Sequence, residues 1–276
     1  RIIFAMMPKL ITGWKGEWWF RVLNSKSLVS FSTHEWTCKE TLSKSNPKTE
    51  LRLQINELKP WQKHSMVGGI IWPGGYILRD FLFEHPYLVK DKYIVEVGSG
   101  TGIVGLAAGA LGASSVILTE KMTTDMSKII YESDGSINEC PVFSDVLLNL
   151  LQQNIDNNAH IFQNIGVNVE VMELSWTNQL HIKNIIKKME GRDKETVDKN
   201  SIDLVLGSDV TFSQNSLPLL FSTVRSLFSS SSSIPRFIFS HQLRKGASTI
   251  QDIQFAADRV GMNSFKQLDE KKINKS

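Results

Sequence analysis

From residue 51 to 55 apolar and polar positions alternate, with Leu51, Leu53 and Ile55 set against Arg52 and Gln54, which is the period of a strand with one buried face. The rhythm then changes. Ile77, Leu78, Phe81 and Leu82 recur at helical spacing, and Pro73, Gly74 and Gly75 ahead of them form a helix entry, so a helix is predicted over 77–88. A short apolar run over 93–97 predicts a buried strand, a glycine-rich turn follows, and the small apolar stretch 103–111 predicts the next helix. A second β-branched run, 116–119, ends on Glu120 and completes a βαβ unit, which requires a parallel sheet. Further on, a helix is predicted over 146–157, strands over 167–174, 202–206 and 237–239, a helix over 249–260 and a last strand over 264–268. The fold class is therefore α/β, with a doubly wound, mostly parallel sheet.

Polar segments divide these elements. Residues 39–50 and 187–200 read as loops, 229–233 as a serine linker, and 121–145 as an insertion unusually long for a strand-to-helix connection. Ahead of the βαβ unit, Trp18, Trp19, Phe20, Val22 and Leu23 are separated from Leu28, Val29 and Phe31 by four polar residues, which predicts a hairpin over 17–32. These features place a β-rich N-terminal extension at 1–65 and the main domain at 66–276. Trp14, Trp18, Trp19, Trp36 and Trp61 are expected to pack the extension, whose aromatic density also suggests a docking surface beside the cleft.

Composition narrows the ligand classes only slightly. The 276 residues are 41% hydrophobic and 21% charged, and a net charge of +3 is too small to imply a nucleic-acid partner. No apolar run reaches the ~20 residues of a membrane span, and Pro8 and Lys9 interrupt the apolar start before a signal-peptide core forms. Cys38 and Cys140 are expected to be free thiols in a reducing compartment, the cytoplasm and also the nucleus, and no metal-ligand spacing surrounds them.

The strongest chemical signal is Glu96-Val97-Gly98-Ser99-Gly100-Thr101-Gly102, with Glu120 at the end of the following strand. Glycines permit a sharp turn and close approach of a cofactor to the backbone, and the helix beyond offers free N–H groups. A carboxylate after the second strand can accept two ribose hydroxyl protons. Gly100-Thr101-Gly102-Ile103-Val104-Gly105 also fits the dinucleotide pattern, but Gly98 and Ser99 intervene after the strand, whereas a dinucleotide turn begins there directly. Glu96 sits where a cofactor amine could be bound, and S-adenosylmethionine has an amine where the dinucleotides have a pyrophosphate. Methyl transfer is therefore favoured over hydride transfer.

Five motifs occur in an order that resembles the methyltransferase-like family 16 group: Trp72-Pro73-Gly74-Gly75, the turn at 96–102, Leu118-Thr119-Glu120, Leu174-Ser175-Trp176 and Ser208-Asp209-Val210-Thr211-Phe212. The resemblance covers about 67–241. It implies a class I S-adenosylmethionine-dependent protein methyltransferase, mostly lysine-directed, with S-adenosyl-L-methionine as cofactor and a protein as substrate. It implies that Trp72, Gly98, Ser99, Gly100, Glu120, Trp176 and Ser208 line the cofactor pocket, to which the glycine turn adds Glu96 and Gly102, and that Asp209 and Phe212 face the acceptor. Phe212 stands where the group commonly has tyrosine, so no hydroxyl is present there. The fold of the group closes with a hairpin, and after Leu268 only eight residues remain, so the last strand is expected to be missing. A monomer acting without metal, membrane or nucleic acid is expected.

Duller roles stand beside these. Asp209 is also suited to capping a helix or turn, and His241 and Arg244 are equally suited to the cleft or to the framework. Small-molecule methyl transfer, arginine or histidine methylation, and a non-catalytic binding module with the same fold are the competing functions.

Overall fold

The computed structural model describes residues 2–5, 31–40, 49–58, 67–121, 130–131, 137–138, 146–190, 202–228, 236–243, 245–262 and 265–268. The strands are β1 (Ile2–Ala5), β2 (Phe31–Glu40), β3 (Thr49–Leu58), β4 (Tyr93–Val97), β5 (Ser115–Glu120), β6 (Ile130–Tyr131), β7 (Ile137–Asn138), β8 (Asn168–Glu173), β9 (Leu204–Ser208), β10 (Arg236–Ser240) and β11 (Phe265–Leu268). The helices are α1 (Pro73–Glu84), α2 (Ile103–Ala110), α3 (Val146–Asn157), α4 (Ala159–Ile165), α5 (Gln179–Glu190), α6 (Leu217–Leu227) and α7 (Ile250–Asp258).

Seven strands form one sheet in the order β11-β1-β10-β9-β4-β5-β8, and every neighbouring pair is parallel. A sheet buried on both faces needs apolar residues at successive positions, and β4, β5 and β9 meet that requirement. Along β4, Ile94 packs into the layer formed with α1 and α2, whereas Val95 and Val97 pack into the layer formed with α5, α6 and α7. Phe237 and Phe239 on β10 stack at 4.8 Å, and Phe221 of α6 meets each edge-on.

Several element boundaries differ from those the sequence predicts. α1 begins at Pro73, because proline at the first helical position and a cap from a distant carboxylate start the helix early. Lys187 and Lys188 belong to the last turn of α5, where cations favour the helix dipole, so the predicted loop over 187–200 starts too soon. α4, α5 and α6 are additional to the predicted elements. The place between β10 and β11, which a closing hairpin strand would take, is held by β1 in parallel orientation.

β2 and β3 form a separate antiparallel ribbon of ten residues each. The hairpin predicted over 17–32 lies outside the described residues up to residue 30, as do Trp14, Trp18, Trp19, Trp61, Cys140, Arg244 and the linker 229–233; Trp36 and Cys38 fall in β2. Of the 121–145 insertion only Lys121 and the two-residue strands β6 and β7, paired antiparallel, are described. Leu53 and Ile55 of β3 are 1% exposed and belong to the same core layer as α1 and α2, so no seam in the packing separates β3 from the main domain. No helix among the described residues is long and apolar enough to cross a membrane.

Candidate active site

The sheet reverses its winding at β4. From there the chain proceeds to β5 and β8 on one side and to β9 and β10 on the other. In open parallel sheets the crevice beyond the carboxyl ends of the strands at such a reversal is the ligand site. The glycine turn leaves β4 and the Ser208–Phe212 segment leaves β9, so the two motifs flank one crevice. Their contact is direct, because a methyl group on Gly98 would lie 2.9 Å from Val210 Cγ1 and 3.8 Å from Trp176.

Gly98, Gly100 and Gly102 have φ of 61°, 57° and 78°, the left-handed region that side chains oppose. At Gly100 the space is also closed, since an added Cβ would lie 2.6 Å from the Gly68 carbonyl oxygen. Residues 67–69 therefore form a strap across the glycine turn. Trp72 holds the strap by donating its indole N–H to Val67 O at 2.9 Å. The sequence offered a sign of this in Gly68 and Gly69 just before the Trp72 motif, but the glycine pair alone does not say what approaches it.

Glu120 closes the other side of the turn. Its Oε2 accepts from the Gly100 N–H at 3.0 Å and its Oε1 from the Lys121 N–H at 2.9 Å. Each carboxylate oxygen retains a further lone pair, so ribose hydroxyls can be received without breaking either bond. The residue is half-buried, and burial raises its pKa.

Glu96 is fully buried, and its Oε2 accepts from the Gly105 N–H at 2.9 Å in the first turn of α2. The carboxylate thus does the work of an N-cap for a helix whose own cap residue, Gly102, has no side chain. Burial pushes the Glu96 pKa up to about 8, against the lowering effect of the Gly105 bond. Its Oε1 makes no hydrogen bond among the described residues, and a cofactor ammonium would have to draw the proton off this carboxyl before the oxygen could accept from it. Ser99 is turned to framework duty: its Oγ donates to Glu96 O at 3.2 Å and accepts from Thr119 N at 2.9 Å, joining β4 to β5.

On the β9 side, Asp209 has φ of 53°, is 8% exposed, and accepts the Gly74 N–H on Oδ2 at 2.8 Å. It caps α1 across 135 residues of sequence. The capping role weighed from sequence is therefore present, and through it the β9 segment sets the start of the helix that carries Trp72 at its N-cap. Ser240 supports the same turn by donating its Oγ to Gly74 O at 2.8 Å. Ser208 is half-buried at the end of β9, its Oγ 3.7 Å from where a Cβ on Gly75 would lie. Trp176, half-buried, packs on the core layer and accepts Thr223 Oγ1 on its carbonyl at 3.1 Å.

Phe212 is 44% exposed just beyond β9. Its carbonyl accepts the Ser248 N–H at 3.1 Å, which ties the β9 segment to the loop after β10. His241 completes the tie: Nε2 meets Ser248 O at 3.0 Å and Nδ1 meets Thr211 Oγ1 at 2.9 Å. A carbonyl can only accept, so Nε2 carries the proton and Thr211 donates to Nδ1. Both ring nitrogens are engaged in framework bonds, which places His241 among the supports of the site.

A sequence profile for a family described as lysine methyltransferase matches residues 48–134 and 142–255, spanning both motif groups of the crevice. The chain belongs to this family of lysine methyltransferases. Over 163 residues the chain is 26% identical to protein N-lysine methyltransferase METTL21A of Danio rerio, covering 59% of this chain and 56% of that protein. It is 27% identical over 187 residues to calmodulin-lysine N-methyltransferase of Arabidopsis thaliana, covering 66% and 49%. Protein-lysine N-methyltransferase EFM6 of Saccharomyces cerevisiae is 28% identical over 170 residues, covering 58% of each. The chain thus spans about half the length of these relatives. The methyl donor that membership brings, S-adenosylmethionine, fits the residues present: a glycine cradle without room for side chains, a carboxylate with spare acceptors, and a buried carboxyl oxygen awaiting a donor.

Proposed function

We propose that this chain transfers a methyl group from S-adenosylmethionine to a lysine side chain of another protein. The observation that carries the reading is the shared crevice: the glycine turn after β4 and the Asp209–Phe212 segment after β9 face each other at the winding reversal. Bound there, S-adenosylmethionine supplies an activated methyl group on a sulfonium. The backbone of Gly98 and Gly100 and the carboxylate of Glu120 hold the nucleoside part, with Trp72, Trp176 and Ser208 around it, and Glu96 receives the amine.

What remains for the protein is alignment of a neutral amine with that methyl. A free lysine, of pKa ~10.4, is almost wholly charged at neutral pH, and an apolar wall lowers that value by desolvation. The exposed Phe212 ring supplies such a wall once an acceptor covers it. Asp209 acts as a positioning group, because one carboxylate oxygen is committed to the Gly74 N–H and its charge would stabilise the protonated amine. The proton leaves to water.

Radiolabelled S-adenosylmethionine incubated with the protein and a cell lysate tests the reading. Label in protein bands, assigned to lysine by mass spectrometry, is the expected result. Label only in the small-molecule fraction, or on arginine or histidine, would replace it with one of the competing reactions.

A further inference from the structure

Helix α3 presents an amide at Asn154, and its junction with α4 presents another four residues on, at Asn158; the two are 0% and 1% exposed. Neither caps a helix in the usual way: Asn158 stands at the N-cap of α4 but makes no side-chain cap bond. Both amides face β3. Asn154 Oδ1 accepts from Asn56 N at 2.7 Å and its Nδ2 donates to Asn56 O at 3.0 Å. Asn158 repeats the pattern on Gln54, accepting from its N at 2.8 Å and donating to its O at 2.7 Å.

The match is one of spacing. Alternate residues of a strand point both backbone groups to the same edge, so Gln54 and Asn56 offer two sites about 6.8 Å apart. Residues four apart along a helix rise about 6 Å. The asparagines therefore stand in for a neighbouring strand and cover an edge that would otherwise need another chain.

Asn154 does one thing more. Its Nδ2 also donates to Thr101 O at 2.8 Å, inside the glycine turn. The same ribbon reaches the segment that joins the strap to α1, because Glu57 Oε2 accepts the Ile71 N–H at 3.1 Å. The site is thus gripped from the ribbon at two points.

We infer that Asn154 is a positioning residue for cofactor binding, holding the turn at 99–102 in its binding shape by bonding it to the docked β2–β3 ribbon. The inference rests on that turn being the seat of S-adenosylmethionine. Asn158 provides the control, since it makes as many bonds to the ribbon and none to the turn; its remaining bond, from Nδ2 to Asn154 O at 2.7 Å, reaches the backbone of that residue and not the amide that holds the turn.

Asn154→Asp leaves an acceptor for Asn56 N but removes the donor to Thr101 and Asn56, and should raise the Kd for S-adenosylhomocysteine about ten-fold, the equivalent of about one net buried hydrogen bond. Asn158→Asp should lower the melting temperature comparably and leave that Kd within about two-fold. Hydrogen exchange at the Gly102 amide, bonded to Ser99 O, should accelerate in the unliganded Asn154 variant only. If Asn154→Asp does not fold, Asn154→Gln, which keeps the amide but displaces it, serves with the same readouts. Unchanged affinity and exchange in the Asn154 variants, or equal losses in both positions, would reduce Asn154 to a purely structural residue. Failure of the parent to bind S-adenosylhomocysteine would instead strike at the functional reading itself.

Discussion

At the scale of single residues, two of the three acids that sequence alone assigns to ligand contact, Glu96 and Asp209, are bonded to helix N-termini. That use was legible for Asp209 as an alternative and illegible for Glu96, because a helix N3 amide nine residues away leaves no mark on composition. Two variants separate the roles of Asp209. Asp209→Asn keeps an acceptor for the Gly74 N–H, so thermal stability should stay near the parent's while methyl transfer reports the effect of the charge. Asp209→Ala strands that buried N–H and should cost about 1–3 kcal/mol in denaturant unfolding, with cofactor affinity falling too because Trp72 loses its anchor. Cofactor binding untouched by Asp209→Ala would break the proposed link between cap and pocket. Gly100→Ala should abolish cofactor binding in calorimetry, as the methyl group meets Gly68 O and the left-handed φ together. For Glu96 the sign of the pH effect follows from its raised pKa. Between pH 4.5 and about 8 the folded protein keeps a proton that the unfolded chain has released, so stability falls as pH rises through that window. Glu96→Gln should flatten the profile of melting temperature against pH, and parallel profiles for parent and variant would show that Glu96 does not titrate there.

Among elements, those whose apolar residues serve the sheet were the most legible: β4, α2 and β5 match their predicted ranges closely because burial on both faces leaves little freedom in the pattern. α5 was hidden by its exposed lysines and α1's start by a cap supplied from 135 residues away. α3 was found from its apolar side, whereas Asn154 within it and Asn158 just beyond it carry no periodic signal. Long-range polar bonds are what a local pattern cannot display. The tie between the β9 and β10 loops belongs to this class. His241→Leu leaves Thr211 Oγ1 and Ser248 O without their partner, and a loss of about 1–3 kcal/mol in stability is expected, with methyl transfer reduced mainly through the acceptor's KM as Phe212 loosens. Steady-state kinetics beside a chemical unfolding curve tests this, and a lower kcat at unchanged KM would point to a direct role for the imidazole.

For the whole molecule, the family, the parallel sheet and the position of the crevice were all legible, since four motifs fall at the ends of strands and a fifth opens α1, in a fixed order. The relation of the first 65 residues to the rest was not. Leu53, Ile55 and Leu58 are all within 1% of full burial, and loss of each large side chain from a core costs about 2–5 kcal/mol against a total stability of about 5–15 kcal/mol. A chain lacking residues 1–60 should therefore fail to fold, so its acceptor selectivity cannot be used to test docking by the extension; a cooperative melt from that truncation would contradict the packing of β3. The asparagine ladder also has a temporal consequence. Gly100 and Glu120 meet across 20 residues, whereas Asn154 and Asn56 meet across 98 and Asn158 and Gln54 across 104. Contacts so distant along the chain form late, so during refolding the glycine turn should exist before it can bind. S-adenosylhomocysteine added at successive delays should be captured only in the slower phase, after the ribbon has docked, and capture in the earliest phase would show that the turn acquires its binding shape unaided.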